Sequence, residues 1–150
     1  ACAQRSIGWL SVRDPYGGAN NEVHLRHDAS ARAELGCPNF AGILALGASI
    51  ELMQSIGLAN IQARARELNQ KLTRRLDEIG WKVLSALENE EYRSAETLVA
   101  ADDPAKVVTQ LAEQKILVTE KPEGFRVSTD FFNNDDDIEA LVHKLHKLHR

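Results

Sequence analysis

At 150 residues, 43% of them hydrophobic and 27% charged, the chain has the length and composition of one globular domain able to bury a real core. A net charge of −4 and a pI of about 5.7 argue against sequence-independent nucleic-acid binding, which needs clustered cations to displace counterions from phosphates. Cys2 and Cys37 are too few for a disulfide scaffold or a zinc site. No apolar run is long enough for a bilayer, and the N-terminus lacks the charged-then-apolar build of a signal peptide. No membrane partner and a cytoplasmic location are therefore expected.

Ile7 to Val12 reads as a short strand, with Ile7, Trp9 and Ser11 on one face. Residue 1 falls directly before it, as if the chain were the tail of something longer. Arg13 to Ser30 carries three turn signals, Asp14-Pro15, Gly17-Gly18 and Asn20-Asn21, and no sustained period. A loop of that length usually lines a site or a neighbour. The stretch from Arg32 to Gly57 follows, opening on the turn Gly36-Cys37-Pro38-Asn39. Asn39 is the expected N-cap of a helix running to Ile56, and Gly57 its left-handed stop. Phe40, Ile43, Leu44, Leu46, Ile50, Leu52, Met53 and Ile56 recur at helical spacing, with small residues between them that allow close backbone approach. This helix is expected to be a hub between other elements.

A second helix is expected from Ala59 to Ile79, with Ile61, Ala65, Leu68, Leu72, Leu76 and Ile79 inward and Gly80 as its stop. Beyond Gly80 strands alternate with helices. Trp81 to Leu84 and Thr97 to Ala100 read as strands, and Asp102-Asp103-Pro104 starts a helix of about ten residues. Lys115 to Thr119 and Gly124 to Ser128 are two more strands, joined by Glu120-Lys121-Pro122-Glu123. Asn134 to Asp137 caps a last helix with Ile138, Leu141, Val142, Leu145 and Leu148 inward. The predicted fold class is α+β: residues 80–150 form a β-β-α-β-β-α unit, a small mainly antiparallel sheet covered by helices, after linking helices over 39–79.

Three features occur in one order. They are Gly8-Trp9-Leu10-Ser11-Val12 with its long loop, Arg32 to Asn39 before the Ala41-Gly42-Ile43 helix, and Phe125-Arg126-Val127-Ser128 followed by Phe131-Phe132-Asn133-Asn134. Together they resemble the C-terminal part of class V aminotransferase-like enzymes dependent on pyridoxal phosphate. That superfamily includes cysteine desulfurases, selenocysteine lyases, kynureninases and isopenicillin N epimerase-like proteins. The resemblance implies the small C-terminal domain of a type I fold, with residues 1–38 as a large-domain edge and interface loop. It also implies a homodimer and an amino-acid substrate. Arg126 matches the arginine that grips the substrate α-carboxylate, a task suited to a planar bidentate guanidinium. Gly36 and Cys37 match the turn that reaches across the dimer to the cofactor phosphate. Cys37 stands where threonine is usual, and a thiol is the weaker donor. The plain alternatives are a strand arginine in surface ion pairs and a turn with a small thiol.

The resemblance also marks what the chain lacks. Pyridoxal chemistry needs a lysine that forms a Schiff base and an acid facing the pyridine nitrogen. In the family these lie upstream of the Gly-Trp-Leu strand, and no lysine here stands in the matching place. The chain alone is therefore expected to have no catalytic residue, no activity and no retained cofactor. Desulfurases of the family carry a sulfur-accepting cysteine between the two strands before the carboxylate arginine, and residues 120–123 contain none. An epimerase-, lyase- or transaminase-like parent is expected instead. The alternative is a free-standing, non-catalytic α+β domain that binds small molecules or partners. No metal site is expected: His143, His146 and His149 read as a solvated helix flank, Asp135 to Asp137 as a cap, and Arg64, Arg66, Arg74 and Arg75 as a solvated basic face.

Overall fold

A computed structural model of the protein describes residues 7–17, 23–89 and 93–148. Cys2, Gly18, Asn20, Asn21 and His149 lie outside the described residues. The chain divides into two compact units, Ala1–Glu51 and Leu52–Arg150.

In the first unit the expected strand over Ile7–Val12 is a single 3-10 turn, Trp9–Ser11. Ser11 is the reason. Its fully buried hydroxyl accepts the Gly8 N–H at 3.1 Å, and its own N–H donates to the Gly8 carbonyl at 3.0 Å. Local bonds of this kind compete with a sheet ladder. What survives of strand pairing is one antiparallel bridge, Val12 to Leu25. A short helix α1 (Ala29–Arg32) follows, capped by Asp28, whose carboxylate accepts the Ser30 N–H at 3.0 Å. Gly8 packs so closely on the backbone at Leu35 that a Cβ there would lie 1.6 Å from the Leu35 carbonyl oxygen.

Helix α2 (Phe40–Ile56) crosses from the first unit into the second. Its start is the expected one, with Asn39 Oδ1 accepting the Gly42 N–H at 3.0 Å. None of its residues is buried, and Leu44 is 74% exposed. Among the described residues nothing covers the expected hub over 40–55, and Ile56 at its end is half-buried. Its large apolar side chains point to every side of the helix, so no single neighbouring face can take them in.

The second unit is built on helix α3 (Leu58–Glu78), bounded by Gly57 at φ +90 and Gly80 at φ +80, both in the range glycine adopts freely. Leu68, Leu72 and Leu76 form its buried stripe, while Ile61, Ala65 and Ile79 are half-buried. Next come β1 (Glu96–Ala100), α4 (Pro104–Glu113), β2 (Thr119–Lys121), β3 (Gly124–Ser128) and α5 (Asp135–Leu148). The sheet is antiparallel throughout, in the order β1-β3-β2. Pro104 sits in the first turn of α4, with Asp103 accepting the Lys106 N–H at 3.0 Å. Asn134 and Asp137 cap α5 reciprocally, each side chain accepting the other's backbone N–H at 3.0 Å.

Two strands differ from expectation. Trp81–Leu84 makes only the bridge Val83 to Val99, with Leu84 N–H on the Leu98 carbonyl and Ala100 N–H on that of Lys82. The ladder stops there because the Ser85 hydroxyl, at 2.8 Å, takes the Leu98 N–H that would have continued it. The strand expected over Lys115–Thr119 begins at Thr119 instead. Lys115 has φ +62, and the N–H groups of Lys115 and Ile116 still bond back to Ala112 and Leu111, so the end of α4 consumes those residues.

Strand alternation sends Thr97, Val99, Phe125 and Val127 to one face, where α3, α4 and α5 contribute Leu72, Leu111, Leu141 and Leu145 to a single core. Trp81 packs edge-on to Phe125 at 5.6 Å and donates its indole N–H to the Leu145 carbonyl. A buried Asn69–Thr97 hydrogen bond of 2.7 Å ties α3 to β1. Phe125 is fully buried. Phe125→Ala should lower the unfolding free energy by about 3–5 kcal/mol. Leu44→Ala, on exposed α2, should change it by less than about 0.5 kcal/mol. Urea unfolding of the 150-residue chain measures both.

Candidate functional site

Arg126 lies at the middle of β3, opposite Leu98 of β1 and Thr119 of β2. Its neighbours Phe125 and Val127 enter the core, so the same alternation puts Arg126, with Glu96 and Leu98, on the opposite sheet face. There Arg126 and Glu96 line an open cleft of about 440 Å³, together with Ser85, Ser94 and Lys121. Arg126 Nη1 is 3.1 Å from Glu96 Oε1. Arg126 Nε is buried and has no hydrogen-bond partner among the described residues. The site thus presents a guanidinium already holding a carboxylate, beside two hydroxyls and a lysine. The hairpin after Lys121 turns on Pro122 and Glu123 alone, a shorter connection than expected and one without a thiol.

Gly36 and Cys37 lie in the other compact unit and are described within it. Gly36 is half-buried, and a Cβ there would come 3.3 Å from the Trp9 indole nitrogen. Cys37 is an exposed free thiol. In the helix start that follows, Asn39 already takes the Gly42 N–H.

Glu96, Ser85, Ser94 and Lys121 were not singled out from the sequence. The signal available was the period-2 pattern of β1, which puts Glu96 and Leu98 on one face, but its partner strand is distant in sequence. The basic face of α3 also proves different from expectation. Arg64 and Lys71 both hold Asp135 of α5, at 3.3 and 2.8 Å, and Arg75 holds Glu139 at 2.9 Å. Arg75 also pairs with Glu78 and Arg64 with Glu67. These residues form an interhelix ionic seam, whereas Arg66 and Arg74 remain exposed. Among the described residues no three His, Cys, Asp or Glu side chains converge as a metal site would require.

The seam shifts its members in the expected directions. Hydrogen bonds from Lys71 and then Arg64 hold the Asp135 carboxyl below its ordinary value, and Arg75 does the same for Glu139. Asp137 is lowered by the Asn134 backbone N–H and the Asn133 amide. A carboxyl lowered by folding contributes stability above its unfolded value and loses it as pH falls through the folded one. Urea midpoints should therefore stay level from about pH 7 to 5 and fall below about pH 4. The Asp135→Asn/Glu139→Gln variant should show a shallower fall.

The sheet is three-stranded and antiparallel, with α3, α4 and α5 packed on one face and Arg126 on the other. Residues 14–141 match the sequence model of the class-V aminotransferases, and the chain belongs to that family. The apo structure of a cysteine desulfurase from Thermococcus onnurineus NA1 superposes with a TM-score of 0.78 at 20% identity, over 95% of this chain and 38% of that one. An alanine–glyoxylate aminotransferase from Nostoc sp. gives 0.64 at 23%, over 81% and 34%. A C-DES variant with glycine covalently linked to its PLP cofactor gives 0.68 at 22%, over 93% and 37%. At these identities the likeness is one of fold. The chain spans little more than a third of the length of each of these structures. No curated protein matches it.

Among the described residues, the lining of the Arg126 cleft does not by itself bracket a pyridoxal ring. Lys71 is committed to Asp135 and Glu139 on the α3–α5 seam. Lys121 lies beside Arg126 on the open sheet face, in a cleft lined by the acids Glu96 and Glu123 and, among the described residues, by no aromatic ring. What the described residues do show in the cleft is the Arg126 guanidinium paired with the Glu96 carboxylate.

Proposed function

We propose that the chain is the small C-terminal domain of a class V pyridoxal-phosphate enzyme that acts on an amino acid, and that Arg126 grips the substrate α-carboxylate. One observation carries this reading: Arg126 stands on the helix-free sheet face, lines a cleft, and already bears a carboxylate at 3.1 Å. A guanidinium so placed fixes both the position and the orientation of an acid. In this reading the lysine and the acid for the cofactor come from a large domain, for which the additional length of the fold relatives leaves room. In the same reading the enzyme is a cytoplasmic homodimer, and the Gly36-Cys37 turn faces the cofactor phosphate of the partner subunit.

The chemistry we propose is of epimerase, lyase or transaminase type. Sulfur transfer needs a nucleophilic thiol near the bound substrate, and the two-residue turn Pro122-Glu123 offers none. Sharing a fold with a cysteine desulfurase does not supply that thiol.

In the enzyme containing the lysine-bearing domain, Arg126→Ala should lower kcat/KM for an amino-acid substrate by about 2–4 kcal/mol of transition-state binding. Urea stability should stay nearly constant, because the side chain lies outside the core. An unchanged kcat/KM would remove Arg126 from the site. The 150-residue chain incubated with pyridoxal phosphate should lose all visible absorption on dialysis; a band that survives would show that it holds the cofactor covalently by itself.

A further inference from the structure

We infer that Glu96 determines which ligands Arg126 accepts, by occupying the guanidinium as a resident carboxylate that an incoming carboxylate must displace. This rests on the reading of Arg126 as a carboxylate grip. Glu96 opens β1 opposite Ser128, and Arg126 sits two residues earlier on β3, so the two are diagonal neighbours on the sheet face away from the core. Diagonal side chains of this length reach each other across an antiparallel pair.

A guanidinium can hold a carboxylate bidentately along either of two edges, Nε with Nη2 or Nη1 with Nη2. Arg126 Nε is buried, so the first edge is closed to a ligand arriving from the cleft. The second edge remains, and Glu96 Oε1 stands on its Nη1 at 3.1 Å. Ligand and Glu96 therefore compete for one edge. The exchange needs no opening of the core, because the two side chains are 34% and 51% exposed. Glu96 also leaves a negative charge beside any ligand that succeeds. A second anionic group close to the ligand's carboxylate meets that charge, and the site favours monocarboxylates over dicarboxylates.

The test is a chemical-shift titration of the 150-residue chain with N-acetyl-L-alanine, and with N-acetyl-L-alaninamide as the control without a carboxylate. Glu96→Gln should tighten binding of the acid about fivefold, as expected for removing a competing exposed ion pair. Glu96→Ala should act in the same direction, which excludes a new hydrogen bond from the glutamine amide. The control should be unaffected by either change, and Arg126→Ala should abolish binding in every background. Equal or weaker binding by both Glu96 variants, with Arg126→Ala still abolishing it, would overturn the role of Glu96 and leave the grip intact. Binding indifferent to Arg126→Ala would overturn the grip itself. No binding of the acid by the wild type or either Glu96 variant would overturn the inference.

Discussion

The second unit depends on how closely β3 can approach β1. At Gly124 a Cβ would lie 1.8 Å from the Val99 carbonyl oxygen, a distance no side chain permits. Gly124 pairs with Ala100, and from that point the register runs Phe125 to Val99, Arg126 to Leu98 and Val127 to Thr97. A slip of one residue would exchange the two faces, sending Phe125 into the cleft and Arg126 into the core. The position of the candidate site is thus a consequence of one glycine contact at the far end of the strand.

The packing around that sheet is pinned by polar pairs as well as by apolar area. Asn69 on α3 and Thr97 on β1 satisfy each other where neither meets water. Thr129, just past β3, donates to the Ala95 carbonyl just before β1 at 3.0 Å. A buried polar group left without a partner costs more than the bond itself contributes, so these pairs penalise wrong arrangements more than they deepen the right one. The ionic seam between α3 and α5 is solvent-exposed and adds orientation between helices already joined by Leu68, Leu72, Leu141 and Leu145.

Much of this was legible where the determinants are local. Asp103 with Pro104, and Asn134 with Asp137, mark helix starts within four residues of sequence, and α4 and α5 begin where those residues stand. The limits of β3 were legible too, whereas the reading of Arg126 came from resemblance and its outward direction from the structure. What escaped was settled by single side chains or by distant partners. Ser11 folds its own backbone into a 3-10 turn, Ser85 ends a ladder, and Lys115 carries a left-handed φ that composition does not announce. Glu96 becomes a neighbour of Arg126 only through sheet register. The seam joins residues 64 to 71 positions apart, beyond the reach of any periodicity.

The two tryptophans fall one to each compact unit. Trp9, 44% exposed, stacks edge-on to Tyr16 at 5.3 Å, while Trp81, 8% exposed, sits in the core against Phe125. Their fluorescence therefore carries two separable signals. A water-soluble quencher reaches the indole of the first unit and is kept from that of the second, and a red shift of the shielded component reports the opening of the sheet core alone. The protein holds an intrinsic optical label on each half, which allows loosening of one to be followed independently of the other.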